Sequence, residues 1–250
     1  MADLGWNLLA PKCSVTGGRK VRRVDAPSNG VRAVWIKEFE RPIYLPEKFP
    51  IHCIQQVLTE ETYPRNWHFY RTAETPVERN DLVFDCGAAE GLFTYLARHE
   101  GARAVAFEPH PLYFSALQRT FAGDAGVLLV QAAVGDQPGR GFLSRDDIAS
   151  TINNDDGYPI EIEPIDAYCD RVKVVPTYLK ADIEGFEAKM LAGAAETIAR
   201  HHPKIAITTY HAENDPPALA AMLRRYWPKY RIRFKGIADW QGKPVMLHAW

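Results

Sequence analysis

The apolar positions change rhythm along the chain, and the changes mark its elements. Leu82, Val83 and Phe84 form a short unbroken apolar run, the signature of one parallel strand buried on both faces. Leu92, Tyr95 and Leu96 follow at helical spacing, and Gly101 suits a helix stop. A second apolar run ends at Phe107, and the same alternation continues. It predicts a helix over 112–121, a strand over 127–134, a strand over 177–181, a helix over 186–200 and a strand over 204–210. Phe186, Met190, Ala194 and Ile198 recur at every fourth position and form the buried stripe of that helix. Residues 137–154, rich in Gly and Asp, read as a hairpin or loop excursion. Asp215-Pro216 is a helix start, with Asp as N-cap and Pro in the first turn. Residues 230–237 and 245–250 read as closing strands, and the short link at Asp239 to Lys243 pairs them as a hairpin. Such alternation predicts an α/β fold: a mostly parallel sheet with helices on both faces and an antiparallel edge.

The first eighty residues have another texture. Val31–Ile36 and residues 43–45 read as short strands punctuated by Arg41-Pro42 and Pro46. Residues 55–61 suit a helix that ends before Pro64. The expected organisation is an N-terminal cap over 1–80 and a main domain over 81–250.

Composition narrows the classes. Of 250 residues, 46% are hydrophobic and 24% charged, ordinary values for a globular protein. Thirty basic residues against 31 acidic ones give a net charge of −1, which lacks the basic footprint of a nucleic-acid binder. The run Arg19-Lys20-Val21-Arg22-Arg23 reads as a solvated arm. Four cysteines without a Cys-x-x-Cys pair read as reduced thiols in a cytoplasmic protein. Cys86 reads as a small buried filler. No stretch has the length and apolarity of a membrane span, and no secretory signal is visible. The pattern does not speak to oligomeric state.

Two segments carry chemistry. The first is Asp85-Cys-Gly87-Ala88-Ala-Glu90-Gly91, a glycine turn between strand and helix, with Glu108 ending the next strand 23 positions after Asp85. That is close to the spacing of a ribose-binding acid. Dinucleotide turns carry a middle glycine where backbone approaches a pyrophosphate. Here Ala89 and Glu90 stand in that place, and two carboxylates repel a pyrophosphate. They suit a ligand with an ammonium and a sulfonium, which favours S-adenosylmethionine over NAD. The second segment is Lys180-Ala-Asp182-Ile-Glu184-Gly185-Phe-Glu187, with His211 at the end of the following strand. Ligands of open α/β sheets bind beyond the carboxyl ends of the strands. Neighbouring strands lie about 5 Å apart, so Asp182 and His211 are expected to face one reacting centre. Asp182, Glu184 and Glu187 are also a candidate oxygen ligand set for a divalent cation such as Mg. Glu184 and Glu187 have a plainer reading, as acids that favour a helix N-terminus. Trp67, His68 and Tyr70 suit either stacking on a sugar or the core.

Together these segments resemble the FkbM family of S-adenosylmethionine-dependent methyltransferases. The likeness runs through Asp85-x-Gly87-Ala-x-x-Gly91, Phe107-Glu108-Pro109, Ala132-Ala133-Val134-Gly-Asp136, Ile165-Asp166, Lys180-x-Asp182-x-Glu184-Gly185-x-Glu187 and Tyr210-His211. It implies a class I methyltransferase fold, a Rossmann-like sheet of seven strands with the last antiparallel. It implies that residues 85–91 hold the methionine part of the cofactor, that Glu108 holds the ribose and that Gln131 and Ala132 lie near the adenine. Asp182 would sit at the reaction centre, and Tyr63 stands where the family often has a tyrosine. The implied partner is a small-molecule or glycan acceptor methylated on oxygen, with His211 or Asp182 as general base. A nitrogen or carbon acceptor, or a non-catalytic cofactor-binding module, is the alternative; a nicotinamide dehydrogenase is more distant. The chain departs from the family pattern at Cys86, at Ala89-Glu90 and at Thr208-Thr-Tyr, where many members place a Glu beside the His.

Overall fold

Leu82–Cys86, buried at every position, lies at the middle of a seven-stranded sheet. The computed structural model describes residues 2–144, 152–153, 156–238 and 242–250. Its first part comprises α1 (Ala2–Leu9), α2 (Cys13–Thr16), β1 (Val21–Val24), β2 (Val31–Ile36), β3 (Ile43–Pro46) and α3 (Ile51–Thr62). The main sheet begins with β4 (Leu82–Cys86), α4 (Leu92–His99), β5 (Arg103–Phe107), α5 (Pro111–Thr120) and β6 (Val127–Val130). A small sheet follows, from β7 (Ala133–Val134), β8 (Gly139–Leu143), β9 (Ile152–Asn153) and β10 (Tyr158–Glu163). The chain then runs through α6 (Ile165–Val172), β11 (Tyr178–Ala181), α7 (Glu187–Ala192), α8 (Ala195–His201), β12 (Lys204–Thr208) and α9 (Pro216–Tyr226). It closes with β13 (Ile232–Lys235) and β14 (Met246–Ala249).

The large sheet has the order β13-β14-β12-β11-β4-β5-β6. β12, β11, β4, β5 and β6 are parallel, and β14 runs antiparallel to both β12 and β13. The predicted closing hairpin is therefore present, although residues 239–241 of its link lie outside the described residues. The order reverses between β4 and β11, and this switch point opens the crevice in which such sheets bind ligands.

Two predicted elements are divided. The strand expected over 127–134 stops at Val130; Ala133 and Val134 leave the large sheet and pair with Ile162 and Glu163. The helix expected over 186–200 breaks at Gly193, where a Cβ would lie 1.9 Å from the Gly135 carbonyl oxygen. Asp166 N–H donates to the Gly193 carbonyl at the same place. Tertiary packing of α6 thus overrides a continuous helical stripe, of which Met190, Ala194 and Ile198 are fully buried and Phe186 half-buried. The excursion expected over 137–154 contains the antiparallel β8–β9 pair; residues 145–151 and 154–155 lie outside the described residues.

The first eighty residues supply an antiparallel sheet β1-β2-β3 and α3. Val34, Ile36, Ile43, Leu45, Ile54 and Leu58 share one apolar cluster with Leu92 and Leu96 of α4 and Tyr113 of α5. This packing holds α3 against the glycine turn. No described helix is long and apolar enough to cross a membrane, and all four cysteines are free thiols.

Candidate active site

A cavity of about 270 Å³ opens at the carboxyl ends of β4, β5 and β11, near the lower bound for small-molecule sites. Gly87, Ala88, Ala89 and Glu90 form one wall, Glu108 and Ala132 a second, and Asp182, Ile183 and Glu184 a third. α3 closes the fourth side with Cys53, Gln56, Val57, Glu60 and Glu61, residues that share one helix face through their three- and four-residue spacing.

The glycine turn is shaped by its neighbours. Gly87 has φ +75°, and a Cβ there would lie 2.2 Å from the Asp182 carbonyl oxygen. Its N–H and that of Ala88 both donate to the Phe107 carbonyl, which fastens the turn to the end of β5. Gly91 (φ +80°) packs on Leu117 and Phe121 and stays off the cavity wall. Glu108 accepts the Ala89 N–H through Oε2 and the His110 N–H through Oε1, each at 2.8 Å. It is buried and borders the cavity. Burial outweighs these two bonds and pushes its pKa up to about 7.

Asp85 and Tyr63 do not border the cavity. Asp85 is fully buried, with Oδ1 2.9 Å from Lys180 Nζ and Oδ2 accepting the Thr94 hydroxyl at 2.7 Å. Lys180 also donates to the Gly87 carbonyl at 2.8 Å. Asp85 therefore reaches a ligand only through the shape of the turn, and its charge is matched by Lys180. Tyr63 faces α1 and α2 instead: its ring stacks on Trp6 and its hydroxyl donates to the Thr16 carbonyl. Gln131 is exposed and off the cavity wall, whereas Ala132 borders it.

At the other end Asp182 is held by Tyr70 and His68. Oδ2 accepts the Tyr70 hydroxyl at 2.8 Å and lies 3.4 Å from His68 Nε2; Oδ1 lies 3.2 Å from the Thr208 hydroxyl, which is closer to Glu187. His68 Nδ1 in turn lies 3.2 Å from Glu60 Oε2. Burial opposes the charge on His68, but its bonds to Asp182 and Glu60 win and raise it to about 10. The resulting imidazolium, more than counterbalancing burial, holds Asp182 well below the usual carboxylate range.

His211 stands behind this wall. Nε2 is 3.6 Å from Asp182 Oδ1 and 3.4 Å from Glu184 Oε2, and Nδ1 is 3.3 Å from Glu187 Oε1. Burial lowers its pKa, but Glu187 first, then the charges of Asp182 and Glu184, leave it above the ordinary value. Asp182 and His211 thus meet as their neighbouring strands predict. Glu184 holds φ +54°, an uncommon conformation for a side-chain-bearing residue that often marks functional turns.

Among the described residues, Asp182, Glu187 and His211 form the group able to converge on a metal ion; Glu184 of the predicted ligand set is not in it. The two carboxylates are largely occupied. Glu187 accepts from Ile183 N–H, the Thr208 hydroxyl and the Asn214 amide, and Asp182 from Tyr70 and His68. The set fits a buried imidazolium better than a divalent cation.

The methyltransferase FkbM domain matches residues 85–230. The chain belongs to the FkbM methyltransferase family. Among solved structures, the FkbM methyltransferase of Methylobacillus flagellatus KT is 23% identical with a TM-score of 0.56, over 82% of this chain and 56% of that one. The chain therefore spans little more than half of that relative's length. Precorrin-6y C5,15-methyltransferase of Geobacter metallireducens GS-15 is 13% identical over 69% of this chain and 81% of its own, with a TM-score of 0.43. Aeropyrum pernix fibrillarin, in complex with natively bound S-adenosylmethionine, is 12% identical over 92% and 99%, with a TM-score of 0.47. No curated protein matches the chain. The sheet of this FkbM-family chain is the class I methyltransferase sheet that the resemblance implied.

The residues present fit the donor of that family, S-adenosylmethionine, which carries a sulfonium and an ammonium beside its ribose. Glu108 keeps lone pairs free of its two backbone donors, as ribose hydroxyls require. Glu61 is buried, borders the cavity and leaves Oε2 without a hydrogen-bond partner, as a site awaiting a cation should. Glu60 and Glu61 are functional candidates that motif reading missed. In the sequence His68 and Tyr70 read only as stacking or core residues, and Lys180 only as the first residue of Lys-x-Asp-x-Glu-Gly. The others lie before the glycine turn, where aromatic and acidic residues fit a core or a solvated helix equally well.

Proposed function

We propose that this chain is an S-adenosylmethionine-dependent O-methyltransferase acting on a hydroxyl of a sugar, glycan or natural product. Gly87, Ala88, Glu90 and Glu108, with Ala132, would hold the donor, which when bound supplies a methyl group on a cationic sulfur. The chain's own residues then have two tasks. One is to hold the acceptor in line beside the Asp182 wall, since positioning supplies much of the acceleration in such displacements. The other is to take up the hydroxyl proton.

Asp182, engaged by Tyr70 and His68, is a weak base and a strong anchor. The proton passes to the pair formed by Glu184, on the cavity wall, and His211 behind it. Glu187 orients the imidazole from its other nitrogen, the arrangement by which a carboxylate sets up a histidine base. The observation that carries this reading is His211 Nε2 lying between Asp182 and Glu184. An amine acceptor near its own pKa has little need of such a base. The His211 pKa lies above its ordinary 6.5, so the neutral imidazole grows only at higher pH, and the rate should rise with pH through that raised value.

The test is turnover of His211→Asn, Asp182→Asn and Glu184→Gln on a panel of hydroxylated acceptors, with S-adenosylhomocysteine affinity measured alongside. Loss of a general base costs about 10²–10⁴ in rate and should leave that affinity nearly unchanged. Near-full rates in both His211→Asn and Asp182→Asn would end the assignment.

A further inference from the structure

The charges around the cavity do not balance. Asp85, Glu60, Glu61, Glu90 and Asp182 interact there with Lys180 and His68, and Asp182 also with His211. These cations are committed. Lys180 is bonded to Asp85 and to the Gly87 carbonyl, His68 bridges Glu60 and Asp182, and His211 lies among Asp182, Glu184 and Glu187. Glu61 and Glu90 remain, besides Glu108 on its two backbone donors. Each is more than nine-tenths buried and borders the cavity, and Glu61 Oε2 has no partner. A buried carboxyl oxygen without a partner is costly, and this one sits on the α3 wall, which like His68 and Tyr70 comes from outside the family's matched region.

We infer that Glu61 of α3, together with Glu90 of the glycine turn, receives the ammonium of the donor's amino-acid arm. The inference rests on the donor assigned above and adds a residue from the first eighty to its site. Geometry argues for it. An ammonium offers three donors and no acceptor, which suits two carboxylates meeting across a cavity from a helix and from a turn. The two groups also answer each other electrically. Burial first, and the Glu90 charge second, push Glu61 well above its ordinary value, with Lys180, Asp85 and His68 the other charges facing it. Burial raises Glu90 to about 7, with Lys180, Asp85 and Asp182 around it. Near neutral pH the pair therefore retains protons until a cation arrives, and binding the cation should expel them.

The experiment is isothermal titration of the full chain with S-adenosylhomocysteine and with its desamino analogue, which keeps the carboxylate and lacks only the ammonium. Glu61→Gln should weaken S-adenosylhomocysteine by about 10- to 100-fold, the size of one charged hydrogen bond, and leave the analogue's affinity unchanged. The variant exchanges a buried carboxyl for an amide of the same shape, so it should fold about as well as the parent. A readout on the unaltered protein makes the test independent of that: titration at pH 7 in two buffers of different ionisation enthalpy should show more proton release with S-adenosylhomocysteine than with the analogue, whose ribose draws a proton from Glu108 alone. Equal losses for both ligands in Glu61→Gln, or no loss for either, would overturn the role of Glu61 while leaving the donor in place. Equal proton release with the two ligands would overturn it too. Failure of the unaltered protein to bind either ligand would instead overturn the donor assignment, and this inference with it.

Discussion

Lys180 Nζ sits 2.9 Å from Asp85 Oδ1 and 2.8 Å from the Gly87 carbonyl oxygen. One amine on β11 thus ties down the strand end and the turn that follows it on β4. Both partners of the ion pair are almost wholly buried. The pair carries the charge of the first motif inside the protein, so the acids that border the cavity beside the turn are Glu90 and Glu108, with Glu61 opposite them on α3.

Removing the amine should expose that dependence. Lys180→Met leaves Asp85 charged, buried and unmatched, and breaking such a pair costs about 3–5 kcal/mol. Adding Asp85→Asn should restore much of the loss, because the charge goes with its partner. Urea unfolding of the two variants checks this; a single variant within about 1 kcal/mol of the parent, the scale of an exposed pair, would contradict it.

His68 should be visible in the pH dependence of stability. Its pKa of about 10 lies above the ordinary 6.5, so the folded state holds the proton more tightly than the unfolded one. The stabilisation is fully present below about 6.5 and is lost as pH rises through about 10. Tm of the parent should therefore fall more steeply than that of His68→Gln between those values. Parallel curves would mean that His68 is not the imidazolium clamping Glu60 to Asp182.

Glu108 runs the other way. Burial lifts it from 4.5 to about 7, so between these values the folded state binds more protons than the unfolded state. The stability of the ligand-free protein should decline as pH rises from about 4.5 to 7, and Glu108→Gln should flatten that decline. S-adenosylhomocysteine should bind better over the same rise, since the carboxylate form accepts the ribose hydroxyls. Affinity that falls as pH rises would remove Glu108 from the ribose role.

Gly87 can be separated from ordinary turn glycines. It has φ +75° and would drive a Cβ to within 2.2 Å of the Asp182 carbonyl, whereas Gly123, at φ +77°, faces open space. Alanine at either position brings backbone strain of about 1–3 kcal/mol. Only Gly87→Ala adds the clash, so its Tm should drop well below that of Gly123→Ala. Equal drops would show that β11 yields to the turn.

The parallel sheet was legible because its strands are continuous apolar runs and its helices amphipathic. Leu82, Val83 and Phe84 needed no tertiary information, and neither did the closing hairpin. The errors fell where distant chain intervenes. The break after Val130 depends on β10, more than twenty residues on, and the helix break at Gly193 depends on Gly135. In the site, Asp182, His211, Glu108 and the glycine turn followed from strand ends, which a sequence reveals. Asp85 gave its position correctly and its role imperfectly, since the matching Lys180 comes from a strand 95 positions later. Glu61 was illegible, and the bonds of His68 and Tyr70 to Asp182 were too, for a related reason. These residues precede the first strand of the large sheet, and only the packing of Ile54 and Leu58 against Leu92 and Leu96 brings them to the cavity.

α3 therefore faces two ways, greasy toward the sheet's covering helices and acidic toward the cavity. A fragment severed at residue 80 would retain the whole region, residues 85–230, that matches the family. It would also lose Glu60, His68 and Tyr70, so Asp182 would revert toward an ordinary carboxylate in open water. A truncated relative lacking this helix would be recognisable by name and altered in its chemistry.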